Sequence, residues 1–107
     1  MRYFFTVVVF FLLVPIASEG ESRQATIYHV RIESMNFEPK ELVIKKGDRV
    51  EWINHDLVPH TVTDPSGTFD SGVILPEGRW SHPFSNGSDV PYRCTLHPEM
   101  SGVIHIG

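Results

Sequence analysis

Beyond residue 20 this chain carries no helix-period stretch of useful length. Short apolar-rich runs are punctuated instead by Gly, Pro, Asn and Asp, the spacing of an all-β sandwich or barrel. The runs 26–34, 42–45, 49–54, 60–63, 72–75, 79–84, 90–94 and 103–106 read as strands, so about eight are expected. Val50 and Trp52 alternate with Arg49, Glu51 and Ile53, and Leu42 and Ile44 alternate likewise, which turns one face of each run inward. Lys46-Gly47-Asp48 makes a tight turn in which Gly47 is free to take positive φ. Pro65-Ser66-Gly67, Pro76-Glu77-Gly78 and Ser85-Asn86-Gly87 are loop signals. There is no internal repeat, no low-complexity tract and no sign of a second folded domain.

The first 20 residues are of another kind. Arg2 is followed by the apolar run from Tyr3 to Val14, then by Pro15 and by small or polar residues from Ala17 to Gly20. That is the order of a secretory signal, and the run is short for a membrane span. Residues 1–20 are therefore expected to be a signal peptide, cut after Gly20 or after Ser18, with 21–107 as a single exported domain. The alternative is an N-terminal anchor that is not cut. No cysteine follows the apolar run, which argues against a lipid anchor. The expected setting is periplasmic or otherwise secreted, with no stable membrane insertion after cleavage. The formal net charge is −4 and Lys and Arg are scattered, so there is no basic footprint for nucleic acid.

A domain of this size lies near the lower limit for a self-sufficient core. Exported domains of this kind often rely on disulfides, and a single cysteine forbids an internal one. A metal that binds only the native state would stabilise it by mass action and would also occupy the thiol. The run Cys94-Thr95-Leu96-His97-Pro98-Glu99-Met100 provides the donors for one, with thiolate, imidazole and thioether at three-residue intervals. Two His and one Cys in a plane, with a weak axial Met, describe the blue-copper electron-transfer site. The missing donor should be an upstream His, and His60 in Val58-Pro59-His60-Thr61-Val62 is the best candidate. The expected metal ligands are thus His60, Cys94, His97 and Met100, around one copper ion cycling between Cu(I) and Cu(II). Zinc is disfavoured because thioether is a poor zinc ligand.

These residues carry a family resemblance. The segments Met35-Asn36-Phe37-Glu38-Pro39, Lys46-Gly47-Asp48-Arg49-Val50-Glu51-Trp52-Ile53-Asn54 and Val58-Pro59-His60, with the loop from Cys94 to Met100, resemble the cupredoxins, the plastocyanin and azurin group, and within it the amicyanins. The ligand loop has the amicyanin length, with Thr after Cys and Pro after His. The resemblance implies a two-sheet Greek-key sandwich with copper near one end. It assigns the same four ligands, and it implies that Asn54 ties the His60 loop to the Cys94 loop through backbone and Thr95 hydrogen bonds. The chain departs from the family at Glu99, where an apolar residue is usual, at Pro91 inside the strand leading to Cys94, and at His82, where an aliphatic is usual. Pro91 removes a ladder donor and so suggests an edge strand or a bulge.

The function expected is a non-enzymatic, monomeric carrier of single electrons, with donor and acceptor proteins docking near His97. A copper carrier or buffer would use the same ligands but would favour exposed Met- and His-rich sites, which this chain lacks. A small copper enzyme would need an open coordination position in place of the axial Met. His29, His55, His82 and His105 lie in no ligand spacing and read as structural or exposed. Trp52, Trp80, Phe69, Phe84 and Tyr92 read as core aromatics.

Overall fold

The computed structural model describes residues 2–12 and 23–107. The expected cleavage bonds after Ser18 and Gly20 lie outside the described residues. Among the described residues, no helix is long and apolar enough to cross a membrane.

The described chain forms β1 (Ile27–Glu33), β2 (Asn36–Glu38), β3 (Glu41–Ile44), β4 (Arg49–Asn54), β5 (Arg79–Pro83), β6 (Asp89–Arg93) and β7 (Ser101–Ile106). They build two sheets, ordered β2-β1-β4-β5 and β3-β7-β6. Both are mixed: β1 runs parallel to β4 and β3 parallel to β7, while β1/β2, β4/β5 and β6/β7 are antiparallel. A parallel partner cannot be reached through a tight turn, so each of these pairs joins segments distant in sequence. The inner faces follow from alternation. Val50, Trp52 and Asn54 point inward from β4, Val30 and Ile32 from β1, and Ile104 and Ile106 from β7. Each aliphatic side chain buried this fully contributes about 1.5–3 kcal/mol. Trp52 sits at the centre, edge-on to Tyr92 with ring centroids 5.4 Å apart and 5.5 Å from its cross-strand partner Trp80.

Two of the eight expected strands do not form. Runs 60–63 and 72–75 make only isolated bridges, His60 with Ile74 and Thr63 with Asp70 and Arg93. His60 and Ile74 exchange both backbone hydrogen bonds, and three residues later Thr63 exchanges both of its own with Arg93 of β6's end. The segment changes partner before a ladder can extend. One short strand, β2, was not expected. It folds back on β1 through Ser34 and Met35, whose φ values of 52° and 61° give the twist that a two-residue hairpin needs.

The Lys46–Asp48 turn forms as expected, with Gly47 at φ 91°. The fully buried Asp48 carboxylate holds it by accepting from the N–H groups of Thr26 (2.9 Å) and Lys45 (3.0 Å) and from Arg23 (2.8 Å). The Thr26 N–H above all, with Lys45 and Arg23, keeps this carboxyl below its ordinary pKa against the opposing effect of burial. Pro91 lies on β6, an edge strand, where a missing donor costs no ladder bond to a second neighbour. His82 pairs with Val50 across β4/β5 and stacks on Trp80 at 5.4 Å, with Phe69 at 4.9 Å. Burial, and then the Arg49 charge, lowers its pKa. His82 is part of an aromatic cluster and not of the metal centre.

Candidate metal centre

Two loops meet at one end of the sandwich. The first leaves β4 at Asn54 and reaches His60; the second joins β6 to β7 and carries Cys94, His97 and Met100. Asn54 shapes the first. Its side-chain amide donates to the carbonyls of Val58 (2.9 Å) and Ile74 (3.0 Å), while its Oδ1 accepts from the N–H of Asp56 (2.9 Å), an Asx turn. The expected tie from Asn54 to Thr95 is not made, because all of these bonds stay within the first loop and its neighbour around Ile74. Thr61 makes the tie between loops instead. Its Oγ1 accepts from the N–H of Thr95 at 2.8 Å and pairs with the Thr95 and Thr63 hydroxyls, each at 3.0 Å.

The second loop is closed by its own backbone. Met100 N–H donates to the carbonyl of His97 (2.9 Å), and Cys94 N–H donates to the carbonyl of Met100 (3.0 Å). Pro98 occupies the bend between them. Cys94 and His60 are fully buried, Met100 is buried at 4% exposure, and His97 is half-buried.

The donors of His60, Cys94 and His97 converge. One ligand atom from each lies within 4.8 Å of the others. Cys94 Sγ is 3.7 Å from His60 Nδ1 and 3.8 Å from His97 Nδ1, and the two imidazole centroids are 5.0 Å apart. Thr61 N–H donates to Cys94 Sγ at 3.3 Å, which fixes the sulfur relative to the first loop. The far edge of the His60 ring is also held: Nε2 lies 2.8 Å from Asp56 Oδ2. Asp56 accepts in addition from the N–H groups of Ser34 and Met35. Burial opposes its ionisation, but the Met35 N–H, the His60 ring and the Ser34 N–H outweigh that effect and hold it below the ordinary range.

Two imidazole nitrogens and one cysteine sulfur drawn this close together form a soft donor set suited to copper. A separate cleft of about 600 Å³, over Phe69, His82, Phe84 and Pro91, shares no residue with this cluster.

Residues 24–77 match the copper binding proteins of the plastocyanin/azurin family. This chain belongs to that family. It is 34% identical over 80 residues to the amicyanin of Paracoccus denitrificans, a match covering 70% of this chain and 61% of that protein's length. It is 36% identical over 70 residues to the plastocyanin of Nostoc punctiforme, covering 58% of this chain and 50% of that one. Among solved structures, an oxidized methionine-to-leucine mutant of amicyanin superposes with a TM-score of 0.72 at 30% identity, covering 75% of this chain and 81% of that one. The chain is thus a cupredoxin similar to the amicyanins, with copper as its cofactor.

Asp56 and Thr61, which hydrogen-bond to the candidate ligands and their loops, are not singled out by any sequence pattern. Both act through the backbone or ring of another residue, and neither has a spacing that points to its partner.

Proposed function

We propose that this cupredoxin carries single electrons between redox proteins outside the cytoplasm, on one copper ion held by His60, Cys94, His97 and Met100. The observation that carries this reading is the meeting of the His60, Cys94 and His97 donors within 4.8 Å of one another, two of them fully buried. Copper supplies the one-electron change between Cu(II) and Cu(I). The chain's own part is to keep the donors still. Thr61 steadies the sulfur, Asp56 the His60 ring, and the backbone bonds of Met100 the second loop. Met100, buried in the same loop, would supply a weak thioether donor that helps to set the potential. His97 is the donor with an edge toward solvent, so donor and acceptor proteins dock at this end, where Leu57, Val58 and Leu96 are also exposed.

Residues 1–20 act as a signal peptide, and 21–107 form the mature monomeric domain in the periplasm or another exported space. Burial of Cys94 and His60 favours this function over a copper buffer, whose ligands must exchange metal rapidly. The test is to add one equivalent of Cu(II) to the mature protein and record visible and EPR spectra. The parent should turn intensely blue, bleach on reduction and retain copper against a mild chelator, whereas Cys94→Ser should fold but stay colourless. A colourless parent, or a blue Cys94→Ser variant, refutes the assignment.

A further inference from the structure

The loop between β5 and β6 carries Asn86-Gly87, and residues 85–88 are all exposed and outside any strand. The other two asparagines of the chain are held, and neither precedes a glycine. Asn54 is fully buried with its amide donated to two carbonyls, and Asn36 lies on β2 with its amide donated to the Ser34 carbonyl at 3.0 Å. Among the described residues the Gly87 N–H makes no backbone hydrogen bond, whereas the next residue, Ser88, accepts from Ile106 N–H at 3.3 Å. Lys46 reaches this loop from its own turn. Its side chain crosses Gly87 so closely that an ideal Cβ there would stand 2.5 Å from Lys46 Cε and 3.3 Å from Nζ. A primary amide, an unengaged backbone nitrogen and an ammonium thus meet at one exposed place.

We propose that Asn86 is a self-modifying site, converted to aspartate or isoaspartate by the Gly87 nitrogen with Lys46 as the assisting cation. The Gly87 nitrogen attacks Asn86 Cγ and passes its proton to water. The Cγ–Nδ2 bond breaks, ammonia leaves, and a succinimide ring remains. Water then opens that ring. Breaking the bond from Cγ to the Gly87 nitrogen gives aspartate, and breaking the original peptide bond gives isoaspartate. One water enters and one ammonia leaves, and nothing is oxidised or reduced. Glycine at 87 permits the approach because no Cβ shields its nitrogen. Negative charge gathers on the Asn86 side-chain oxygen as the new bond forms, and a cation held beside it favours that step. Either product adds a carboxylate to the rim of the cleft that Asp64 and Asp89 also line. Isoaspartate in addition lengthens the backbone by a methylene, close to the Ser88 carbonyl that holds the end of β7. The site lies outside the copper cluster, so the proposal does not depend on the ligand reading.

The experiment incubates the mature copper-loaded protein in warm, mildly alkaline buffer and follows released ammonia, charge by ion exchange, and peptide masses. The parent should gain an acidic form altered at Asn86, with Asn36 and Asn54 intact. Gly87→Ala should keep Asn86 intact over the same time. Its Cβ meets only the end of the flexible Lys46 chain, and Gly87 has no positive φ, so this variant should fold. Lys46→Gln should react about fivefold more slowly, the factor that a unit charge about 4 Å away carries in water. A parent whose Asn86 stays intact overturns the proposal, as does a Gly87→Ala protein that reacts at the parent's rate. An unchanged rate in Lys46→Gln removes the assisting cation. A sugar mass on Asn86, whose Asn-x-Ser spacing also fits a glycosylation acceptor, overturns the proposal too.

Discussion

Replacing Thr61 by Val tests how much of the site's rigidity comes from one hydroxyl. Valine keeps the β-branched shape at a position only 4% exposed and removes the oxygen that accepts from Thr95 N–H at 2.8 Å. That N–H is left without a partner in a part-buried place, which costs about 1–3 kcal/mol. Loss of the Thr95 and Thr63 hydroxyl pairings adds about 1 kcal/mol. This term stays small because Thr63 keeps its bond to Asp70 at 3.2 Å. The methyl group gained returns about 0.8 kcal/mol. The net loss is about 2 kcal/mol, which at a urea slope of about 1 kcal/mol per M lowers the midpoint by about 2 M. The assay is urea unfolding of the copper-free protein followed by tryptophan fluorescence, with an unchanged slope. Thr61→Ser keeps the hydroxyl and should lose about 1 kcal/mol or less. The Thr61 N–H to Cys94 Sγ bond survives in both variants, so the blue band of the loaded protein should stay in place. A Thr61→Val midpoint equal to the parent's, or Thr61→Ser as damaging as Thr61→Val, refutes the account of the loop tie.

A Cβ at position 102 would come within 2.5 Å of the Tyr92 ring, which is buried opposite it in the β6/β7 register. Gly102→Ala should thus destabilise by about 1–3 kcal/mol, seen as a lower thermal midpoint. His105 lies 2.8 Å from Asp89 and 3.4 Å from Glu41, and its bond to Asp89, then that to Glu41, raises its pKa. Its folded pKa exceeds the unfolded one, so the stability it adds is full below the ordinary histidine value of 6.5 and is lost as pH rises through the raised value. The parent's advantage over His105→Asn should shrink from mildly acidic to alkaline pH, and a constant difference contradicts this. Glu99 is exposed beside the ligand loop, and a rim charge acts mainly on association rate. Glu99→Phe should keep the blue spectrum and weaken the salt dependence of electron transfer with the partner; a changed spectrum would place Glu99 at the metal.

Strands whose side chains alternate across a half-buried sheet were legible in the sequence. Arg49–Asn54 is an example, because Val50 and Trp52 on one face and Arg49 and Glu51 on the other encode the face directly. The bridges at His60, Thr63 and Ile74 were not, since their apolar residues fit a strand while their backbone partners change within three residues. β2 was hidden by its turn, as Ser34-Met35 lacks the glycine or asparagine that announces a two-residue hairpin. In the site, Cys94, His97 and Met100 lie within one loop and announce themselves by spacing. His60 needed the blue-copper ligand set to be singled out. Asn54 was assigned too long a reach, because resemblance identifies a residue without its hydrogen-bond geometry. The tie fell to Thr61, whose role depends on a distance between loops that no local sequence feature encodes.

The middle position of β7 between β3 and β6 has a consequence for the order of biosynthesis. A ribosome delivers β3 and β6 first, and neither has a partner in its sheet until β7 emerges. The backbone bond from Cys94 to the Met100 carbonyl closes immediately ahead of that strand. Half of the sandwich is thus completed by a late segment that begins one residue after the ligand loop ends. Pairings this distant in sequence also form slowly. A nascent chain halted before Ser101 would lack the second sheet, and would remain loose enough to thread through a narrow pore.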